Sequence, residues 1–337
     1  LDLSSDYLTT GSVSIYGLND GTWSQIGSDI SSSQGFDYFG YSTSLSSNGN
    51  ILAVGGFYGE VDGASDNAGY VKIFENIGPN FQQVGDVLVG KSLNGDEFGF
   101  SVDLSSDGSI VAVSSASGGD VFVYQRIGND WTQLGDTISF ADFDSDLKPD
   151  TVSKQEKILQ VKITDSGEYI AIGSPNSDDN GLNSGKLKVF KNNSGSWEQV
   201  GSDIKGESLS HLGNYLDIEV DSNGFLTLGA SGTNDGGQSF VNVYKLLGSD
   251  WISFTSFDST DNQNFPTNSL DISNNGEFLA IGTSHSPVNN LNYDDNYLSA
   301  GYIGFNEDTG NVRVYDLSPS DSSSSDSSST STQITEG

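Results

Sequence analysis

The chain has 337 residues, with 46 Asp and Glu against 13 Lys and Arg, a formal charge of −33. That balance excludes DNA, RNA and anionic membranes as main partners, because each is held by clustered cations. There is no Cys and no apolar run of about 18 residues, so neither disulfides, thiolate metal sites nor a membrane-inserted helix enter the fold.

Residues 1–10 (LDLSSDYLTT) read as a shortened hairpin. A strand follows at 11–16 (GSVSIY), and a second at 23–27 (WSQIG). The first full unit opens with the hairpin 42–55 (STSLSSNGNILAVG) and continues through 69–74 (GYVKIF) and 81–85 (FQQVG). The second repeats it at 101–114 (SVDLSSDGSIVAVS), 119–124 (GDVFVY) and 131–135 (WTQLG). The third comprises 160–173 (QVKITDSGEYIAIG), 185–190 (GKLKVF) and 197–201 (WEQVG). The fourth comprises 215–229 (YLDIEVDSNGFLTLG), 240–244 (FVNVY) and 251–254 (WISF). A fifth opening hairpin lies at 269–282 (SLDISNNGEFLAIG). After it, either 301–305 (GYIGF) pairs with 312–317 (VRVYDL), or the latter is itself the third strand.

Each unit is thus four short antiparallel strands, with Gly supplying the positive φ of the first turn. One such sheet cannot bury both faces, so its neighbours must cover it, which is the logic of an all-β propeller of four-stranded blades. The composition agrees: 42 Gly and 35 Asp against 11 Glu favour turns over helices. Six blades fit the length best, with five or seven as alternatives. The propeller is expected over 1–317. Residues 318–337, with 13 Ser or Thr in 20, read as a linker or stalk.

Phe39-Gly40, Phe98-Gly99 and the variant Leu212-Gly213 precede opening strands, and Gly55-Gly56, Gly173–Pro175 and Gly229–Ser231 follow second strands. This pattern resembles the FG-GAP repeat of the integrin α-subunit head and of many secreted microbial proteins. The resemblance implies an extracellular or cell-surface propeller for adhesion or ligand binding, often with calcium. Lys157-Ile158 and Pro266-Thr267 depart from it in two units. The turns SSNGN, SSDGS, TDSGE, DSNGF and SNNGE are too short and too poor in carboxylate for that family's calcium loops, so those sites are not carried over.

Asp142, Asp144, Asp146 and Asp150 stand instead at alternating positions of a Ca²⁺-loop pattern, with Leu147 where the turn wants Gly. Asn176, Asp178 and Asn180 repeat the spacing with fewer charges. Plain solvated loops are the alternative for both. Asn192 begins the single N-glycosylation sequon singled out. The aromatics that open each fourth strand (Trp23, Phe81, Trp131, Trp197, Trp251) read as packing between sheets rather than a sugar-binding row. The lysines at 148, 154, 157 and 162 read as charge balance. With two His in different repeats and no nucleophile motif, catalysis finds no constellation.

The sequence reading is therefore a non-catalytic binding, adhesion or surface-assembly propeller, one module of a larger secreted protein or filament. Its expected partners are a protein or glycan at the cell surface or matrix, or further copies of itself. The alternative is an extracellular carbohydrate-active enzyme, a glycosidase or lyase, or its accessory domain.

Overall fold

A computed structural model describes residues 10–60, 67–90, 95–140, 159–234, 238–258, 267–283 and 311–317. Every regular element among them is a strand. Four short strands come first: β1 (Ser12–Val13), β2 (Tyr16–Asn19), β3 (Thr22–Gln25) and β4 (Ile30–Ser31), with β1 pairing β4 and β2 pairing β3.

Five blades follow. The first is β5 (Ser42–Leu45), β6 (Ile51–Gly56), β7 (Tyr70–Ile77) and β8 (Asn80–Gln83), with β9 (Leu88–Val89) added beside β7. The second is β10 (Phe98–Leu104), β11 (Ile110–Ser115), β12 (Asp120–Ile127) and β13 (Asp130–Gln133), with β14 (Ile138–Ser139) beside β12. The third is β15 (Gln160–Ile163), β16 (Tyr169–Ser174), β17 (Lys186–Asn193) and β18 (Ser196–Gln199), with β19 (Ile204–Lys205) beside β17. The fourth is β20 (Leu216–Val220), β21 (Leu226–Thr233), β22 (Ser239–Leu247) and β23 (Asp250–Asp258). The fifth has three described strands, β24 (Thr267–Ile272), β25 (Phe278–Thr283) and β26 (Asn311–Asp316). All pairings within the blades are antiparallel.

The blade count is five where six fitted the length best. The difference lies at the N terminus, where 11–31 supply only an outer hairpin and the β1–β4 pair. That hairpin packs Val13, Ile15, Ile26 and Ile30 onto Phe39, Leu52, Val54 and Phe74 of the first blade. In the fifth blade β26 is the third strand, pairing β25.

The core is a series of layers between blades. Ile51, Val71 and Ile73 of the first blade meet Phe98, Val102 and Val111 of the second. Val121 and Val123 meet Val161, Ile170 and Ile172 in the next layer, and Leu187 and Val189 meet Leu216, Ile218 and Leu228 in the one after. The second strands of the first four blades are covered on both faces, which is why β6 reads as the continuous run ILAVGG, whereas in β25 burial alternates and Phe278 is exposed.

The Phe-Gly pairs have a mechanical role. Phe39, Phe98 and Leu212 are buried, while Gly40, Gly99 and Gly213 hold φ of 89°, 89° and 96°. A Cβ at Gly99 would stand 2.5 Å from the Tyr70 carbonyl oxygen, so the side-chain-free residue lets one blade approach the backbone of another. The fourth-strand aromatics pack as expected of spacers: Trp131, Trp197 and Trp251 sit half-buried against successive layers. Trp197 Nε1 donates to the Leu134 carbonyl (2.9 Å) and Trp251 Nε1 to the Val200 carbonyl (3.1 Å), each in the preceding blade. Trp23, on the N-terminal hairpin, is 67% exposed.

Candidate active site

The first strands of all five blades line one central cavity of ≈ 320 Å³. Counting back five residues from the turn glycines Gly49, Gly108, Gly167, Gly224 and Gly276 gives Ser44, Asp103, Lys162, Glu219 and Asp271, all in the lining. Asp217, two residues before Glu219 and on the same strand face, joins them, as do Asp165 and Asn274 from the turns. The repeat puts one polar side chain per blade at the same height, and the ring of blades turns that linear periodicity into a cluster.

The geometry is ordered by blade-to-blade hydrogen bonds. Ser44 Oγ accepts the Leu104 N–H (3.0 Å) and donates to Asp103 Oδ1 (3.1 Å). Asp103 Oδ2 accepts the Ile163 N–H (2.9 Å), and Lys162 Nζ stands 3.6 Å from Oδ1. Asp217 Oδ2 accepts the Ile272 N–H (2.6 Å). At the turn end, Glu219 Oε2 accepts the Asp165 N–H at 3.5 Å, and Asn274 Nδ2 donates to Asp165 Oδ2 at 2.6 Å.

Burial and charge set the protonation. Asp103, Asp217 and Glu219 are all buried. Asp103, Asp217 and Asp271 hold Lys162 well above the usual lysine range against the opposing effect of burial, so it stays a cation. Burial raises Asp103, opposed by Lys162 and the Ile163 N–H. Burial pushes Asp217 up to about 7, with Lys162 opposing and Asp103 and Asp271 assisting. Burial, with Asp165 and Asp217 close by, pushes Glu219 up to about 8. Burial thus raises two carboxyls two residues apart toward neutrality, with the Lys162 ammonium acting on Asp217. Such an arrangement can give a proton to a departing oxygen and stabilise developing negative charge.

The sequence reading missed this cluster and set Lys162 down as charge balance. The available signal was the repeat register: in a chain of acids a single Lys at the position of Asp103, Glu219 and Asp271 is the exception. The cavity lining holds no aromatic ring.

The residues chosen from sequence lie elsewhere. Asp142, Asp144, Asp146 and Asp150 fall outside the described residues. Asn176, Asp178 and Asn180 lie between β16 and β17. Asp178 Oδ1 accepts the Asn183 N–H (2.6 Å), bracing the loop itself, and Asn180 Nδ2 donates to the Gly206 carbonyl (2.9 Å), tying the loop to the segment after β19. Asp179 between them pairs with Lys186 (2.9 Å) and Lys205 (3.3 Å). Among the described residues no group of three or more His, Asp or Glu is placed to hold a metal. Asn192 lies in β17, half-buried, its Oδ1 accepting the Gly195 N–H (2.8 Å) of the following turn.

No family model matches the chain, and no curated protein matches it. Solved structures do match in shape. A protein from Lactobacillus plantarum aligns with a TM-score of 0.55 at 11% identity, covering 95% of this chain and 76% of that one. Hydrazine synthase of Kuenenia stuttgartiensis aligns at 0.50 and 12% identity, over 87% of this chain and 65% of that one, so the chain spans just under two thirds of that enzyme's length. The periplasmic gluconolactonase PpgL of Pseudomonas aeruginosa aligns at 0.42 and 14% identity, over 80% and 86%. At these identities the likeness is one of fold. The expectation of a propeller without a catalytic constellation is corrected here by the site itself: the inner strands bring buried carboxyl groups and a lysine together in one cavity, where the sequence reading found none. The chain is a five-bladed β-propeller whose first strands and their turns gather five carboxyl groups and one lysine around a single cavity.

Proposed function

We propose that the protein is a carbohydrate-active enzyme that cleaves a neutral glycoside in the central cavity. The observation that carries this reading is the convergence of Asp103, Lys162, Asp217, Glu219 and Asp271 from four blades into one cavity, where burial pushes Glu219 up to about 8. Glu219 gives its proton to the departing glycosidic oxygen as the bond to the anomeric carbon breaks, water forms the new bond to that carbon while Asp271 takes its proton, and Lys162, paired with Asp103, balances the charge of the surrounding carboxylates. Ser44, Ser47, Ser106 and Asn274 offer hydroxyl and amide groups to sugar hydroxyls. A lyase acting on uronic acids fits less well, because the lining carries five carboxyl groups against one lysine.

The test is release of reducing ends from neutral oligosaccharides. The wild type is expected to turn over at least one of the gluco-, manno-, xylo- and chito-series. Glu219→Gln is expected to lower kcat by roughly 100-fold or more, with KM little changed. Activity is expected to fall as pH rises through about 8, where Glu219 loses its proton. No turnover of any series, or an unaffected Glu219→Gln variant, overturns the proposal.

A further inference from the structure

The loop before β5 reads Phe36-Asp37-Tyr38-Phe39-Gly40. Asp37 is 1% exposed and anchors the loop. It accepts hydrogen bonds from Ser32 Oγ, from the Tyr70 hydroxyl (2.6 Å) and from the Phe39 N–H (3.1 Å). The residues on either side point the other way: Phe36 is 60% and Tyr38 46% exposed. Gln34 and Glu60 clamp the loop to its neighbour through an amide–backbone pair at 2.7 and 3.2 Å.

Both flanking residues are left-handed, Phe36 at φ 62° and Tyr38 at φ 54°. The second blade repeats the conformation with Gly95 (71°) and Glu97 (56°), and the fourth with Leu209 (64°) and His211 (47°). The left-handed turn therefore belongs to the fold, while the residue placed in it is particular to each blade. Gly, as at Gly95, satisfies the backbone at no steric cost, whereas a bulky residue there is disfavoured. The chain accepts that cost to hold two aromatic rings in solvent. Tyr41, 56% exposed, extends the surface. Its ring and those of Tyr38 and Tyr58 pack on the buried Phe57 at centroid distances of 4.6, 5.1 and 4.7 Å, so the patch has a rigid floor.

We propose that Phe36, Tyr38 and Tyr41 form a second binding surface, apart from the central cavity, that takes a neutral glycan by stacking sugar faces on the rings. None of Phe36, Tyr38 and Tyr41 lines the cavity, whose lining begins in this stretch of chain at Thr43. The surface is small. Three rings of about 150–250 Å² each, roughly half exposed, present on the order of 300 Å², against about 800 Å² per partner in a stable protein interface. A pyranose offers an apolar C–H face with a hydroxyl rim, which matches a ring face edged by a tyrosine hydroxyl. The charge of −33 excludes an anionic lipid surface.

The test is calorimetric titration with cello-, manno-, xylo-, malto- and chitohexaose of the wild type and of the double variant Phe36→Gly with Tyr38→Gly. Glycine suits both left-handed positions, so the variant is expected to keep the wild-type melting temperature or exceed it. Its affinity for the bound hexaose is expected to fall about tenfold or more. Glu219→Gln is expected to leave that affinity intact, so a failure of the cavity chemistry and a failure of this surface are read separately. Three outcomes overturn the proposal: no hexaose binds the wild type, the double variant binds as well as the wild type, or the double variant changes only the sedimentation coefficient, which would make the patch a contact between copies.

Discussion

Glu219 and Asp217 connect stability to pH in a direction opposite to most acidic side chains. Their native values, about 8 and about 7, lie above the unfolded values of roughly 4. Between about pH 4 and pH 8 the native state therefore binds more protons than the unfolded chain, and stability falls as pH rises through that window. Thermal melts are expected to peak near the acid end of the window and to decline toward pH 8. Asp217→Asn with Glu219→Gln should flatten the slope, and an unchanged slope would show that these two groups do not control it. The same residues mark the limit of reading the sequence. In a chain with 46 acids, a carboxylate on an alternating strand looks like solvated surface. Only the side-by-side packing of successive blades places Asp103, Asp217 and Asp271 around Lys162.

At the scale of single elements the hairpins were legible, because their information is local. Alternation and the turn glycines fix β5–β6 and β15–β16 within a residue of where they lie, and β10–β11 likewise except that β10 starts three residues early, at Phe98. The fourth-strand aromatics were legible as spacers in three blades, but the equivalence misled at Trp23. A repeat position predicts burial only where a preceding blade stands to cover it. Paired substitutions separate the cases. Trp197→Ala is expected to cost about 2–4 kcal/mol, since it empties a layer and leaves the Leu134 carbonyl without its donor. Trp23→Ala, at a position 67% exposed, is expected to stay within about 0.5 kcal/mol in denaturant melts. Equal losses at the two positions would mean that Trp23 is covered in solution.

At the scale of the whole molecule, −33 charges on one chain repel one another across distances comparable with the Debye length, about 10 Å at 0.1 M salt. Raising NaCl from about 10 to 200 mM is expected to raise the melting temperature by a few degrees. Calcium chloride at matched ionic strength tests residues 142–150 in the same experiment. A rise beyond that given by NaCl, lost in Asp142→Asn with Asp144→Asn, would assign a specific site there, and an identical rise would leave only screening.

The hydrogen bond from Asn274 to Asp165 joins the fifth blade to the third and passes over the fourth. A propeller without such a strut behaves as a row of nearest neighbours, able to fray from one end while the rest persists. With it, opening the fifth blade also breaks a contact to the third, which couples the two by about 1 kcal/mol. The opening free energy of the fifth blade, read from amide exchange at β24, should then fall by that amount in Asn274→Ala.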